Sequence, residues 1–196
     1  MFLSTSPRFD GAGGEERRER IDLLLGRDSD WENPAASMDP AKSVGLSPAA
    51  TALRIETEEL ISELRVRRPE LVAKSDESRY REAVQYASVA RQVLTYHAGL
   101  ARTLAAGKRI VSLLGIRDAM MADNFAYTVS SEHGRGNVLA FAHNSHLRRG
   151  KAQWQLGKDL LSWWPAGAHL DGMFGPGYAV IGSAVGVSDG QWHRQA

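Results

Sequence analysis

An apolar run of strand length that stops at a turn bearing two histidines constrains this chain more than any other stretch. It reads Asn137-Val138-Leu139-Ala140-Phe141-Ala142-His143-Asn144-Ser145-His146. Val138 to Ala142 is apolar at every position, and Gly134 and Gly136 lead into it. Unbroken apolarity, as opposed to alternation, predicts a buried strand covered on both faces, as in a parallel sheet. Ligands of open α/β sheets collect outside the carboxyl ends of such strands. His-Asn-x-His at that end is therefore a candidate for proton transfer or ligand binding around neutral pH.

The residues before this run read as helical. Residues 1 to about 14 form a loose lead-in, Glu15 to Leu25 a short helix, and Asp28 to Val44 an irregular connector with turns at Asn33-Pro34 and Asp39-Pro40. Ser47-Pro48 starts a helix, with a serine cap and proline at the first helical position, and Pro69 is expected to end it. A second helix starts near Asp76. Its stripe of Tyr80, Ala83, Ala87, Ala90, Leu94, His97, Ala101 and Leu104 is a packing seam, closed by Gly107. These two helices are expected to lie antiparallel as a hairpin. A third runs from about Lys108 to Ser130, Trp154 to Leu161 suggests a further helix, and Gly177 to Gly182 a second short strand. The fold class expected is α/β and helix-rich, with the helical hairpin region packed on a partial, mostly parallel sheet of few strands.

Composition excludes several functions. With 24 basic and 23 acidic residues the formal charge is +1, so no electrostatic case for nucleic acid exists. The absence of cysteine removes disulfides, thiolate nucleophiles and cysteine-type zinc sites. No apolar run approaches the roughly 20 residues that span a bilayer, and no signal-peptide pattern opens the chain. A cytoplasmic protein without a membrane partner is the expectation.

On the third helix, Ile110, Leu113, Leu114, Met121 and Phe125 set an apolar face on which Arg117 and Asn124 also fall. An arginine there must snorkel or be paired, because an unpaired buried charge is very costly. It is either a structural ion pair or the wall of a polar pocket. Asp118, about 100° around the helix, is placed to partner another basic group. His143 and His146 can orient a substrate, act as acid and base, or be ordinary loop histidines. Metal binding is the weaker reading without a third ligand, because zinc sites usually want three. Trp154, Trp163 and Trp164 can wall an apolar ligand or simply pack. His97 reads as a seam histidine, and Arg148-Arg149 with Lys151 as a solvated basic turn. No Gly-x-Ser-x-Gly elbow or dinucleotide fingerprint is present, and no cofactor is expected.

These blocks, in this order, resemble the erythromycin esterase family. Ile116-Arg117-Asp118-Ala119-Met120-Met121-Ala122-Asp123-Asn124 is similar to its Arg-Asp-x-x-Met-Ala-acid-Asn block. Ala142-His143-Asn144-Ser145-His146-Leu147 is similar to its Ala-His-Asn-x-His block, and Gly177 to Gly182 fits the tail of the pattern. Ser43 to Ser47 and Tyr96-His97-Ala98 look like less diagnostic features of the same family. The resemblance covers about residues 30 to 190.

It implies a hydrolase of esters or lactones, macrolides being the best-known substrates, working by histidine-assisted attack of water. His143, His146 and Arg117 would carry the chemistry, and Asn124, Asn144, Asp118 and Trp154 would line the substrate. It further implies an irregular lead-in with a short helix over 1–45. Residues 46–196 then form the C-terminal portion of the domain, with a helical region over 46–130 and a strand and loop core over 131–190. The chain departs from the family in one respect. The early Gly-Glu-x-x-His-Gly segment has no counterpart, since Gly14-Glu15 runs into Glu16-Arg17-Arg18-Glu19 and no histidine precedes His97. The expectation is a second-half portion whose site is completed by a first-half polypeptide or in a homo-oligomer. The alternative is a non-catalytic remnant or a helical binding module.

Overall fold

The computed structural model describes residue 31 and residues 33–183, so the short helix expected over Glu15 to Leu25 lies outside the described residues. The chain divides into two compact units, Met1–Thr103 and Leu104–Ala196.

Local capping chemistry organises the first unit. Two 3-10 turns, Pro34–Ser37 and Pro40–Lys42, are each capped by the residue before the proline. Asn33 Oδ1 accepts from the Ala35 amide at 3.0 Å and Asp39 Oδ1 from the Ala41 amide at 3.0 Å. Helix α1, Pro48–Val66, is capped by Ser47, whose hydroxyl oxygen accepts from the Ala50 amide at 3.2 Å. Pro69 does not end the helical region. The break falls at Arg67, and Pro69 sits in the first turn of α2, Arg68–Lys74, where its missing N–H leaves no bond unmade. Arg67 clamps the break, bonding Glu63 at 2.7 Å and Glu70 through two nitrogens at 3.0 Å each. That guanidinium, with Lys74 adding to it, holds the Glu70 carboxyl down to about 2.

Helix α3, Glu77–Ala101, starts where the sequence places it, with Asp76 as its cap, but ends six residues before Gly107, which does not close it. It runs antiparallel to α1. Glu58 in mid-α1 approaches Arg91 at 3.8 Å, and Gly45, ahead of α1, lies on the backbone of His97 near the end of α3. A Cβ at Gly45 would meet the His97 carbonyl oxygen at 2.0 Å. The Ser43 hydroxyl donates to that same carbonyl at 3.3 Å. Burial depresses the His97 imidazole below its ordinary value, and the ring meets Trp31 edge-on at 4.7 Å.

The second unit contains α4, Ala106–Ser131; α5, the single turn Asn144–Leu147; β1, Ala152–Leu156; β2, Asp159–Trp163; and α6, Ala166–Phe174. Helix α4 packs on β2 and α6. Ala122, Ala166, Leu170 and Tyr178 form its core, with Met121, Phe125 and Phe174 against it.

Three expectations are corrected here. The sheet is not mostly parallel: among the described residues it is one antiparallel pair, β1 against β2, with Ala152 opposite Trp163 and Leu156 opposite Asp159. The helix expected over Trp154 to Leu161 is that hairpin. Its two-residue turn starts at Gly157 (φ 58°), and a two-residue link can join only antiparallel neighbours. Val138 to Ala142 and Gly177 to Gly182 belong to no ladder among the described residues. Val138, Ala140 and Ala142 are half-buried, whereas Leu139 and Phe141 are 88% and 100% exposed. The period of two in burial is that of a strand, but among the described residues no strand pairs with it.

Candidate active site

Helix α4 carries the group around which the site is built. Its buried positions are Arg109, Leu113, Asp118 and Ala122. They do not share one face: Arg109 and Leu113 lie on one side of the helix and Asp118 and Ala122 on nearly the opposite side, so that Asp118 points in while Arg117 is exposed. Asp118 is 0% exposed. A carboxylate so far from water must be met by donors, and two meet it. His146 Nδ1 lies 2.6 Å from Oδ1, and the Trp163 indole nitrogen donates to Oδ2 at 2.5 Å. The cluster extends one step further, because Arg117 Nη2 lies 3.0 Å from His146 Nε2.

The partners fix the histidine tautomers. Arginine only donates, so His146 Nε2 accepts from Arg117 and its Nδ1 carries the hydrogen to Asp118. His143 shows the reverse. It caps α5, with its Nδ1 accepting from the Ser145 amide at 3.2 Å and lying 2.6 Å from the Ser145 hydroxyl. Its Nε2 then bears the hydrogen. As held, one ring turns an N–H outward and the other gives its lone pair to a guanidinium. The arrangement therefore offers donors, the equipment for steadying negative charge on oxygen.

The turn bearing both histidines is pinned from several sides. The Tyr178 hydroxyl donates to the Leu147 carbonyl at 2.6 Å. Arg149 donates to the Tyr178 carbonyl at 2.5 Å and pairs with Asp171 at 3.1 Å. Burial, partly offset by Arg149, pushes the Tyr178 hydroxyl above its ordinary value. The Asn144 side chain takes both polar groups of the Ser183 backbone, its Nδ2 donating to the carbonyl and its Oδ1 accepting from the amide.

Of the residues singled out from sequence, the structure joins Arg117, Asp118 and His146, and sets His143 and Asn144 on the same turn. Asn124 is half-buried two turns along α4 from Arg117. Trp154 stands half-exposed on β1 opposite Leu161, and no hydrogen bond ties it to the cluster among the described residues. The sequence reading missed Trp163 as a polar partner. The available signal was that a core-facing tryptophan needs an acceptor for its N–H. Among the described residues, no group of three or more His, Cys, Asp or Glu side chains is placed to hold a metal ion. No helix there is long and apolar enough to cross a membrane.

The family model described as Erythromycin esterase matches residues 16–194. No curated protein and no solved structure matches the chain.

Proposed function

Because the chain belongs to the erythromycin esterase family, we propose that it is the portion of an ester or lactone hydrolase that polarises the substrate and steadies the oxyanion. The observation carrying this reading is the hydrogen-bonded series Trp163, Asp118, His146 and Arg117 around a wholly buried carboxylate. Water attack on an ester carbonyl builds negative charge on oxygen. Preorganised donors aimed at that oxygen are often the largest single source of rate enhancement. Arg117 has guanidinium N–H groups beyond the one on His146 to meet it, and the His143 Nε2–H is a second donor.

The histidines assist the attack by orientation and donation. The group that takes the proton from water comes from elsewhere, in a first-half polypeptide or a second copy, since neither ring offers a lone pair as held. The substrate is a small-molecule ester or cyclic ester, with Asn124 and Trp154 at its margin, and the site works in the cytoplasm without a cofactor.

The test is ester hydrolysis by the purified chain over a panel of macrolides and simple esters, with and without an added first-half polypeptide. Turnover that appears on complementation and is lost in His146→Ala and Arg117→Ala is the expected result. No turnover from folded protein in either condition rejects the reading in favour of a non-catalytic binding protein.

A further inference from the structure

Trp163 closes β2 with its indole buried, and its N–H meets the Asp118 oxygen that His146 does not use. Leu161, two residues earlier on the same face, shows that packing at β2 needs only an aliphatic side chain. The nitrogen is what sets Trp163 apart. A carboxylate with one oxygen unmatched could turn about its Cβ–Cγ bond, and either oxygen could then face the imidazole at an altered angle. Fixed at Oδ2, it presents Oδ1 to His146 Nδ1 in a single geometry.

We propose that Trp163 is a positioning residue: it clamps Asp118 so that His146 is held with its hydrogen on Nδ1 and its Nε2 lone pair turned to Arg117. The consequence, a guanidinium aimed by a tryptophan three groups away, rests on the hydrolytic reading above. The clamp itself can be measured without substrate.

Histidine ring and indole nitrogen resonances of the labelled full chain provide that measurement. In the wild-type chain the His146 Nδ1 is expected to carry the hydrogen at neutral and mildly alkaline pH. In Trp163→Phe the two tautomers become mixed. Leu161→Ala removes packing from the same face without touching the carboxylate, and leaves the tautomer unchanged. A His146 ring spectrum identical in wild type and Trp163→Phe overturns the proposal, as does an equal change in Leu161→Ala.

Should Trp163→Phe fail to fold, Asp118→Asn carries the same test. The Trp163 indole resonance and the His146 tautomer must then change together, and a change in one alone overturns the clamp. An inactive chain with the clamp intact would reject the hydrolytic reading and leave this inference standing.

Discussion

Gly167, in the first turn of α6, lies so close to Leu147 that a Cβ on it would meet the Leu147 carbonyl oxygen at 2.1 Å. Leu147 directly follows His146, so the start of α6 acts as a backstop for the turn that bears both histidines. Gly167→Ala must push the two apart, and overpacking of this kind costs about 1–3 kcal/mol. Denaturant unfolding is expected to show a loss in that range, and the His146 ring resonances to move. An alanine variant as stable as wild type, with unmoved resonances, would mean the close approach is not there.

The same carbonyl accepts the Tyr178 hydroxyl, which gives the alkaline side of the stability profile a defined sign. Burial raises this hydroxyl above the ordinary tyrosine value of about 10. The folded chain therefore keeps a proton that the unfolded chain releases. Its contribution is present below about 10 and is lost as pH rises through the folded value. Tyr178→Phe should be less stable at neutral pH by about 1 kcal/mol, one hydrogen bond, and should flatten the alkaline limb. Urea midpoints measured from pH 8 to 11 decide it; an unchanged alkaline slope would rule the assignment out.

His97 sets the acid side in the other unit. Burial lowers its folded value below the ordinary one of about 6.5. The unfolded chain binds the proton first as pH falls. Stability is thus present above about 6.5 and is lost as pH drops from there toward the folded value. Glu70, held at about 2 by Arg67, adds a separate loss that begins as pH falls through the ordinary carboxylate range and continues toward the folded value. His97→Gln should remove the first step and leave the second, as read from thermal melts between pH 7 and 3. A wild-type chain with no loss of stability as pH falls below about 6.5 and before the carboxylate range would contradict the burial argument.

Leu139 and Phe141 stand almost wholly in solvent on a segment whose burial alternates like a strand yet joins no ladder among the described residues. Apolar side chains beside unpaired backbone groups form a template for another strand. The wild-type chain is expected to self-associate with rising concentration in light scattering, and Leu139→Lys with Phe141→Lys to shift it toward monomer. A monodisperse wild-type monomer at high concentration would count against an open edge.

What the sequence revealed follows the range of the forces involved. Ser47 and Asp76 announce α1 and α3 because capping acts over three residues, and α4 is legible from a period that needs no partner. The hairpin was misread because Trp154, Leu156, Leu160 and Leu161 satisfy a helical spacing if Gly157-Lys158 is passed over as filler. The glycine was the overlooked sign of a tight turn. Val138 to Ala142 failed differently: strand character is local, but a sheet requires neighbours. In the candidate site, Arg117 and His146 were named individually. That the aspartate, not the arginine, is the buried one is set by the packing of α4 against β2 and α6, which no spacing within the helix announces.

One property of the cluster concerns how the molecule comes together in time. Asp118 takes its donors from 28 and 45 residues further along the chain. Helix α4 can form from contacts three and four residues apart, whereas closing those two loops must first offset their entropy. The carboxylate therefore has a wet, unmatched interval in every folding event, ended only when the hairpin returns. Native order at the histidine-bearing turn arrives late, and a chain cleaved between Ser131 and His143 would keep its longest helix of this unit while losing the covalent path that brings the turn home.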